Sequence, residues 1–172
     1  MASSFSLKTT ELTWRQYVSH AKEMNLALPD LPTVFLKPST ALGNPWPEPC
    51  YLPKITQKDN TGDYESELAV IIGKTAKNVS EEDALDYVLG YTTANDISSR
   101  TSQTNQSQWC FSKGFDGACP LGVYSSNACD RNKIAYCLLG PVVASTSIVP
   151  DPAKLQIKGS LNGNVVQNCG LT

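Results

Sequence analysis

The stretch Asp63-Tyr64-Glu65-Ser66-Glu67-Leu68-Ala69-Val70-Ile71-Ile72 constrains this chain more than any other. Its aliphatic run, rich in β-branched residues and closed by Gly73, predicts a strand. Alternate residues of a strand share a face, so Glu65 and Glu67 point the same way, followed by Ala69 and Ile71. Leu68, Val70 and Ile72 line the opposite face. Both faces turn apolar, which predicts a buried strand with two carboxylates at its mouth. Withdrawing two like charges from water is costly unless a cation compensates. The alternative is a strand whose first residues simply stand in water.

A third carboxylate, Asp96, follows the strand candidate Tyr91-Thr92-Thr93-Ala94 and opens a helical stretch over 97–103. It reads either as an ordinary helix N-cap or as the third member of an all-oxygen site. Three carboxylates facing one divalent charge favour a hard cation, Mg²⁺ with Mn²⁺ or Ca²⁺ as alternatives, with positions left open for water or substrate. His20 is the single histidine and stands three residues before Glu23. Both fall on a helix predicted over 11–28, where Leu12, Tyr17, Ala21, Met24 and Leu28 share a face and Pro29 and Pro32 end the run. A carboxylate that orients an imidazole raises its basicity, as a general base requires. A surface or satisfied core histidine is the competing reading. Lys113, in Phe111-Ser112-Lys113-Gly114-Phe115, is either a functional charge among aromatics and glycines or a solvated lysine.

The rest of the chain bounds the function by exclusion. Its 172 residues suit one domain, and 41% hydrophobic with 17% charged residues is a globular mixture. A net charge of −2 with no basic block offers nucleic acid nothing to bind. No apolar run approaches the roughly 20 residues that span a bilayer, so no membrane association is expected. Six cysteines lack CxxC spacing, which predicts free thiols in a reducing compartment rather than a zinc site. The N-terminus lacks the pattern of a secretory signal, so the cytoplasm is the expected location, with the mitochondrion as the alternative. A small-molecule partner follows.

Beyond the acidic strand, the pattern predicts a short strand over 34–36 and a turn-rich proline excursion over 38–53. A helix is expected from Ser80-Glu81-Glu82-Asp83 to about Leu89, and loop from 107 to Val142. Residues 145–148 are expected to pair with 155–161. Asn162-Gly163 between Lys158-Gly159-Ser160-Leu161 and Val165-Val166-Gln167 is a strong hairpin signal, although the hairpin has no obvious neighbour to bury it.

Taken in order, RQYVSHAKE, FLKPSTAL, DYESELAVIIGKTAKNVSEEDALDYVLGYTTANDISSR, QSQWCFSKGFDGACPLG and GPVVASTSIVPDPAKLQIKGSLNGNVVQ resemble the fumarylacetoacetate hydrolase family. The resemblance implies an α+β fold, a mixed, mainly β roll, usually in homodimers or higher oligomers. It implies a divalent metal held by Glu65, Glu67 and Asp96. His20 and Glu23 would form a pair that moves a proton, and Lys113 and Gln103 would contact substrate oxygens. Family members act on α-keto and β-diketo acids through an enolate stabilised by the metal. Their reactions are acylpyruvate or fumarylacetoacetate-type C–C hydrolysis, oxaloacetate decarboxylation or tautomerisation, and isomerisation of hydroxy-dienedioates.

Two departures from the family pattern bear on these expectations. Family members pass from CPLG into PVV-like residues, whereas here 123–140 intervenes between Gly122 and Pro141. An in-frame retained intron fits, since Val123-Tyr124 can begin with GT and Leu138-Leu139-Gly140 can carry CTAG; a surface insertion is the alternative. The family also continues past the Asn162-Gly163 hairpin, so the expected organisation is a single incomplete catalytic domain over 1–172. It would hold an N-terminal helical segment over 1–32 and an atypical insertion over 123–140. An inactive fragment or interaction module is the competing function.

Overall fold

The computed structural model describes residues 34–44, 48–57, 60–122 and 142–171. The predicted 11–28 helix, with His20 and Glu23, and the 123–140 segment lie outside the described residues. In chain order the described part holds β1 (Leu42–Gly43), α1 (Lys54–Gln57), β2 (Gly62–Asp63), β3 (Ser66–Ile72), β4 (Val88–Asn95) and β5 (Ser98–Ser99). There follow α2 (Arg100–Asn105), α3 (Cys110–Lys113), β6 (Cys119–Pro120), β7 (Ala144–Ser145), β8 (Gln156–Leu161) and β9 (Asn164–Gly170). Short 3-10 turns occupy Ser39–Ala41, Ala84–Tyr87 and Pro152–Lys154. The fold is a mixture of helices and small sheets, as the α+β expectation required.

The strand predicted at the acidic motif is β3, which pairs antiparallel with β4 over Ser66↔Asn95 to Ile72↔Val88. Its two faces build two separate cores. Leu68 joins Tyr91, Ala144, Val149, Ile157 and Leu171 on one side. Ala69 joins Ala94 and Cys119 on the other. The second core is made of small side chains, and Glu67 sits on that face directly opposite Ala94. Small neighbours leave room for carboxylates that a leucine or phenylalanine would displace.

The hairpin is found where Asn-Gly predicts it, with β8 paired to β9. Asn162 and Gly163 both have positive φ, 51° and 82°, the backbone that a two-residue hairpin turn demands and that glycine adopts without a Cβ clash. Contrary to expectation, the hairpin has a neighbour. Ile157 and Leu171 enter the core against Leu68 and Tyr91, and Leu171 is only 1% exposed.

Several other expectations change. Residues 145–148 do not pair with β8; β7 instead pairs with β4, Gly90↔Ser145 and Tyr91↔Ala144. Residues 34–36 join no sheet, because Lys37 and Phe35 turn inward to polar and aromatic partners rather than to a ladder. The helix after Ser80 shrinks to the 3-10 turn Ala84–Tyr87, and β4 begins three residues earlier than its sequence pattern suggested, at Val88. The stretch after Gln106 is not all loop: α3 and β6 form there, and β6 pairs in parallel with β1.

Candidate metal centre

Antiparallel pairing brings the three acids together. Glu67 on β3 and Glu65, one residue before the strand begins, share a face, and Asp96 extends β4 on the same face as Ala94. Asp96 N–H donates to the Glu65 carbonyl at 3.0 Å, so the two carboxylates emerge from facing positions at the strand ends. Oxygens of Glu65, Glu67 and Asp96 all lie within 4.8 Å of one another. The N-cap reading of Asp96 is overturned: α2 begins at Arg100, four residues on, and Asp96 is buried.

Cations converge on the cluster from three segments. Lys113, at the end of α3, is 2% exposed, so the solvated reading fails. Its Nζ donates to Glu65 Oε1 at 2.7 Å, to Asp96 Oδ2 at 3.0 Å and to Ser98 Oγ at 2.5 Å. The ammonium also lies 5.5 Å from the Phe35 ring centre, and Phe35 meets Trp109 edge-on. Lys37 pairs with Asp96 Oδ1 and donates to the Ala118 carbonyl at 3.2 Å. Arg100 pairs with Glu65, bonds Asp63 Oδ2 at 2.8 Å, and donates from Nη1 to Gln103 Oε1 at 2.9 Å. Gln103 therefore reaches the edge of the site through Arg100.

Lys37, Asp63, Ser98 and Arg100 belong to the site although sequence reasoning did not single them out. A signal existed for Lys37. The alternation Val34-Phe35-Leu36-Lys37 puts it on the inward side with Phe35, and both are half-buried between exposed neighbours.

Electrostatics separates the two strand glutamates. Burial works to raise Glu65, but the charges of Lys113 and then Arg100, with their hydrogen bonds, outweigh it and hold the carboxyl below its ordinary value. Glu67 is pushed up to about 8, first by burial and then by repulsion from Asp96 and Glu65, which Lys113 and Lys37 only partly offset. Among the described residues no cationic side chain forms an ion pair with Glu67. Its anion is thus short of positive charge in a place where two further carboxylates are within reach. Burial pushes the neighbouring Cys119 thiol up to about 11, so it is no thiolate donor near neutral pH. The donor set is all oxygen and fits a hard divalent cation.

Residues 12–134 match the family described as fumarylacetoacetate hydrolase C-terminal, and the chain belongs to that family. It is 51% identical over 111 residues to a caffeoylpyruvate hydrolase of Neonothopanus nambi, covering 63% of this chain and 38% of that protein. It is 37% identical over 154 residues to a mitochondrial oxaloacetate tautomerase of Xenopus laevis, covering 88% of this chain and 41% of that protein. Among solved structures it resembles a 5-carboxymethyl-2-hydroxymuconate delta-isomerase from Mycobacterium smegmatis. That likeness has a TM-score of 0.63 at 32% identity, over 88% of this chain and 51% of the other. The chain spans between 38% and 51% of the length of these relatives. These relatives bear the names of a hydrolase, a tautomerase and an isomerase, so the chain's ancestry lies among enzymes of this family.

Proposed function

We propose that this chain carries the metal-binding part of an enzyme acting on α-keto or β-diketo acids, with acylpyruvate C–C hydrolysis its foremost reaction. Oxaloacetate decarboxylation or tautomerisation is a further reaction open to the same site. The observation that carries this reading is the convergence of Glu65, Glu67 and Asp96 within 4.8 Å. Identity of 51% to a caffeoylpyruvate hydrolase favours the hydrolytic branch.

Glu65, Glu67 and Asp96 would hold the cation, Mg²⁺ or Mn²⁺. When bound, it supplies Lewis-acid stabilisation of the negative charge that develops on a keto acid's oxygens. The protein's own groups do the remainder. Lys113 favours the ionised form of Glu65, Lys113 and Lys37 hold the Glu65 and Asp96 carboxylates by hydrogen bonds and ion pairs, and both would offer positive charge to a substrate carboxylate or oxyanion. Arg100 fixes Glu65 from the other side and donates to Gln103, whose carboxamide would contact a substrate oxygen. For hydrolysis, an imidazole nitrogen of His20, oriented by Glu23, would take the proton from water. That water then attacks the distal carbonyl, the C–C bond breaks, and the electron pair leaves on the pyruvate fragment as its enolate. With no water held for attack, proton transfer at the carbon between the two carbonyl groups, the one that becomes the enolate carbon, gives tautomerisation instead. A homodimer and a cytoplasmic location, with the mitochondrion as the alternative, complete the proposal.

The test is a calorimetric Mn²⁺ titration of the 172-residue chain, followed by assays on an acylpyruvate and on oxaloacetate, repeated for the E65Q/E67Q double variant. Metal-dependent turnover that the double variant loses supports the reading. Metal binding with no turnover on either substrate points to a non-catalytic module, and turnover unchanged by E65Q/E67Q overturns the metal assignment.

A further inference from the structure

The pairing of β3 with β4 leaves the backbone N–H and C=O of one residue at the metal site for another element to hold. Among the described residues β3 is an edge strand in the sheet order β3-β4-β7. In an antiparallel pair, successive residues turn their backbone N–H and C=O alternately toward and away from the partner strand. Glu65 turns toward β4: its N–H donates to Asn95 Oδ1 at 3.0 Å and its carbonyl accepts from Asp96 N at 3.0 Å. Ser66, between the two glutamates, turns the other way, where no strand of the described residues pairs with it. There the side chain of Gln167 meets it twice. Ser66 N–H donates to Gln167 Oε1 at 3.1 Å, and Gln167 Nε2 donates to the Ser66 carbonyl at 2.9 Å. One carboxamide makes both bonds that a neighbouring strand residue would make.

The hairpin is shaped for this contact. Gln167 on β9 lies opposite Gly159 on β8. A Cβ on Gly159 would stand 2.6 Å from Ser66 Oγ and 3.3 Å from Gln167 Cβ. The bare backbone at 159 therefore lets the hairpin close onto Ser66 and brings the carboxamide within reach.

We propose that Gln167 is a positioning residue for the metal ligands, fixing the backbone on both sides of Ser66 so that the flanking Glu65 and Glu67 carboxylates hold a constant spacing and aim. An edge strand held on one side only is free to splay, and repulsion between two carboxylates on one face drives it that way once both are ionised, as metal binding requires. The clamp opposes that splaying from the side β4 cannot reach. This inference rests on the metal reading of the three acids.

The experiment compares Mn²⁺ affinity by calorimetry in the parent chain and in Q167M, which keeps length and bulk but forms neither bond. Amide hydrogen exchange at Ser66 is followed in both without metal. Outer ligand supports typically change metal affinity by about 10- to 100-fold, so Q167M should bind Mn²⁺ at least about 10-fold more weakly. Its Ser66 amide should exchange faster while the β8–β9 amides keep their protection. Equal affinity in Q167M and parent overturns the inference and leaves the metal reading intact. Loss of cooperative unfolding in Q167M also overturns it, assigning Gln167 to the fold as a whole. A parent chain that binds no Mn²⁺ overturns the metal reading and this inference with it.

Discussion

Glu67 is where the site's need for a cation is most exposed to measurement. Its folded pKa of about 8 lies above its ordinary 4.5, so between these values the folded chain holds a proton that the unfolded chain has released. The stability this contributes is complete below 4.5 and is lost as pH rises through about 8. Glu65 acts in the opposite sense: its pKa is lowered, so its contribution is present above 4.5 and disappears as pH falls through the folded value. The metal-free chain should therefore melt at a progressively lower temperature as pH is raised from 6 to about 9. E67Q should flatten that slope and raise the alkaline melting temperature while weakening Mn²⁺ binding by at least about 10-fold. Thermal circular dichroism at several pH values reads the first effect, and a slope unchanged in E67Q would refute the account. Mn²⁺ affinity should rise over the same interval, since the cation must displace the Glu67 proton.

Among the elements, the β8–β9 hairpin and the acidic strand β3 were legible because each carries its own local rule. Asn162-Gly163 supplies the positive φ angles of the turn, and the alternation after Glu65 supplies two faces. G163A should destabilise the chain by about 1–2 kcal/mol, the cost of a Cβ in left-handed backbone, as read by denaturant unfolding. Nothing lies within 4 Å of a Cβ built at Gly163, so the loss is conformational and comes without a clash. Elements without a local rule were misjudged. β7 is two residues long and finds β4 rather than the nearby 155–161 segment, because Ala144 fits the core beside Tyr91 and Leu68. The α3 turn has no amphipathic period to announce it, and its use is to carry Lys113 inward.

For the whole molecule, folding and metal binding are linked. The cluster exists only when β3, β4 and α3 are in place, so a cation that binds the folded chain stabilises it by mass action. Mn²⁺ or Mg²⁺ at about 100 times its dissociation constant should add roughly 2.7 kcal/mol, seen as a rise in melting temperature that EDTA reverses. The E65Q/E67Q variant should show no such rise.

The sequence by itself determined the hairpin turn and the two-faced strand that sets Glu65 and Glu67 on one face, whereas Asp96 joined them only through what the family resemblance implies. Turn and strand each follow from spacing within a few residues, where backbone period and turn chemistry act directly. Tertiary structure decided which charges answer those acids. Lys37 stands 59 positions from Asp96, Lys113 stands 48 from Glu65, and Gln167 stands 101 from Ser66. No periodicity reports contacts at such separations. They form because burying carboxylates on a small-residue face is tolerable only where the completed fold delivers ammonium, guanidinium and amide groups to the same place.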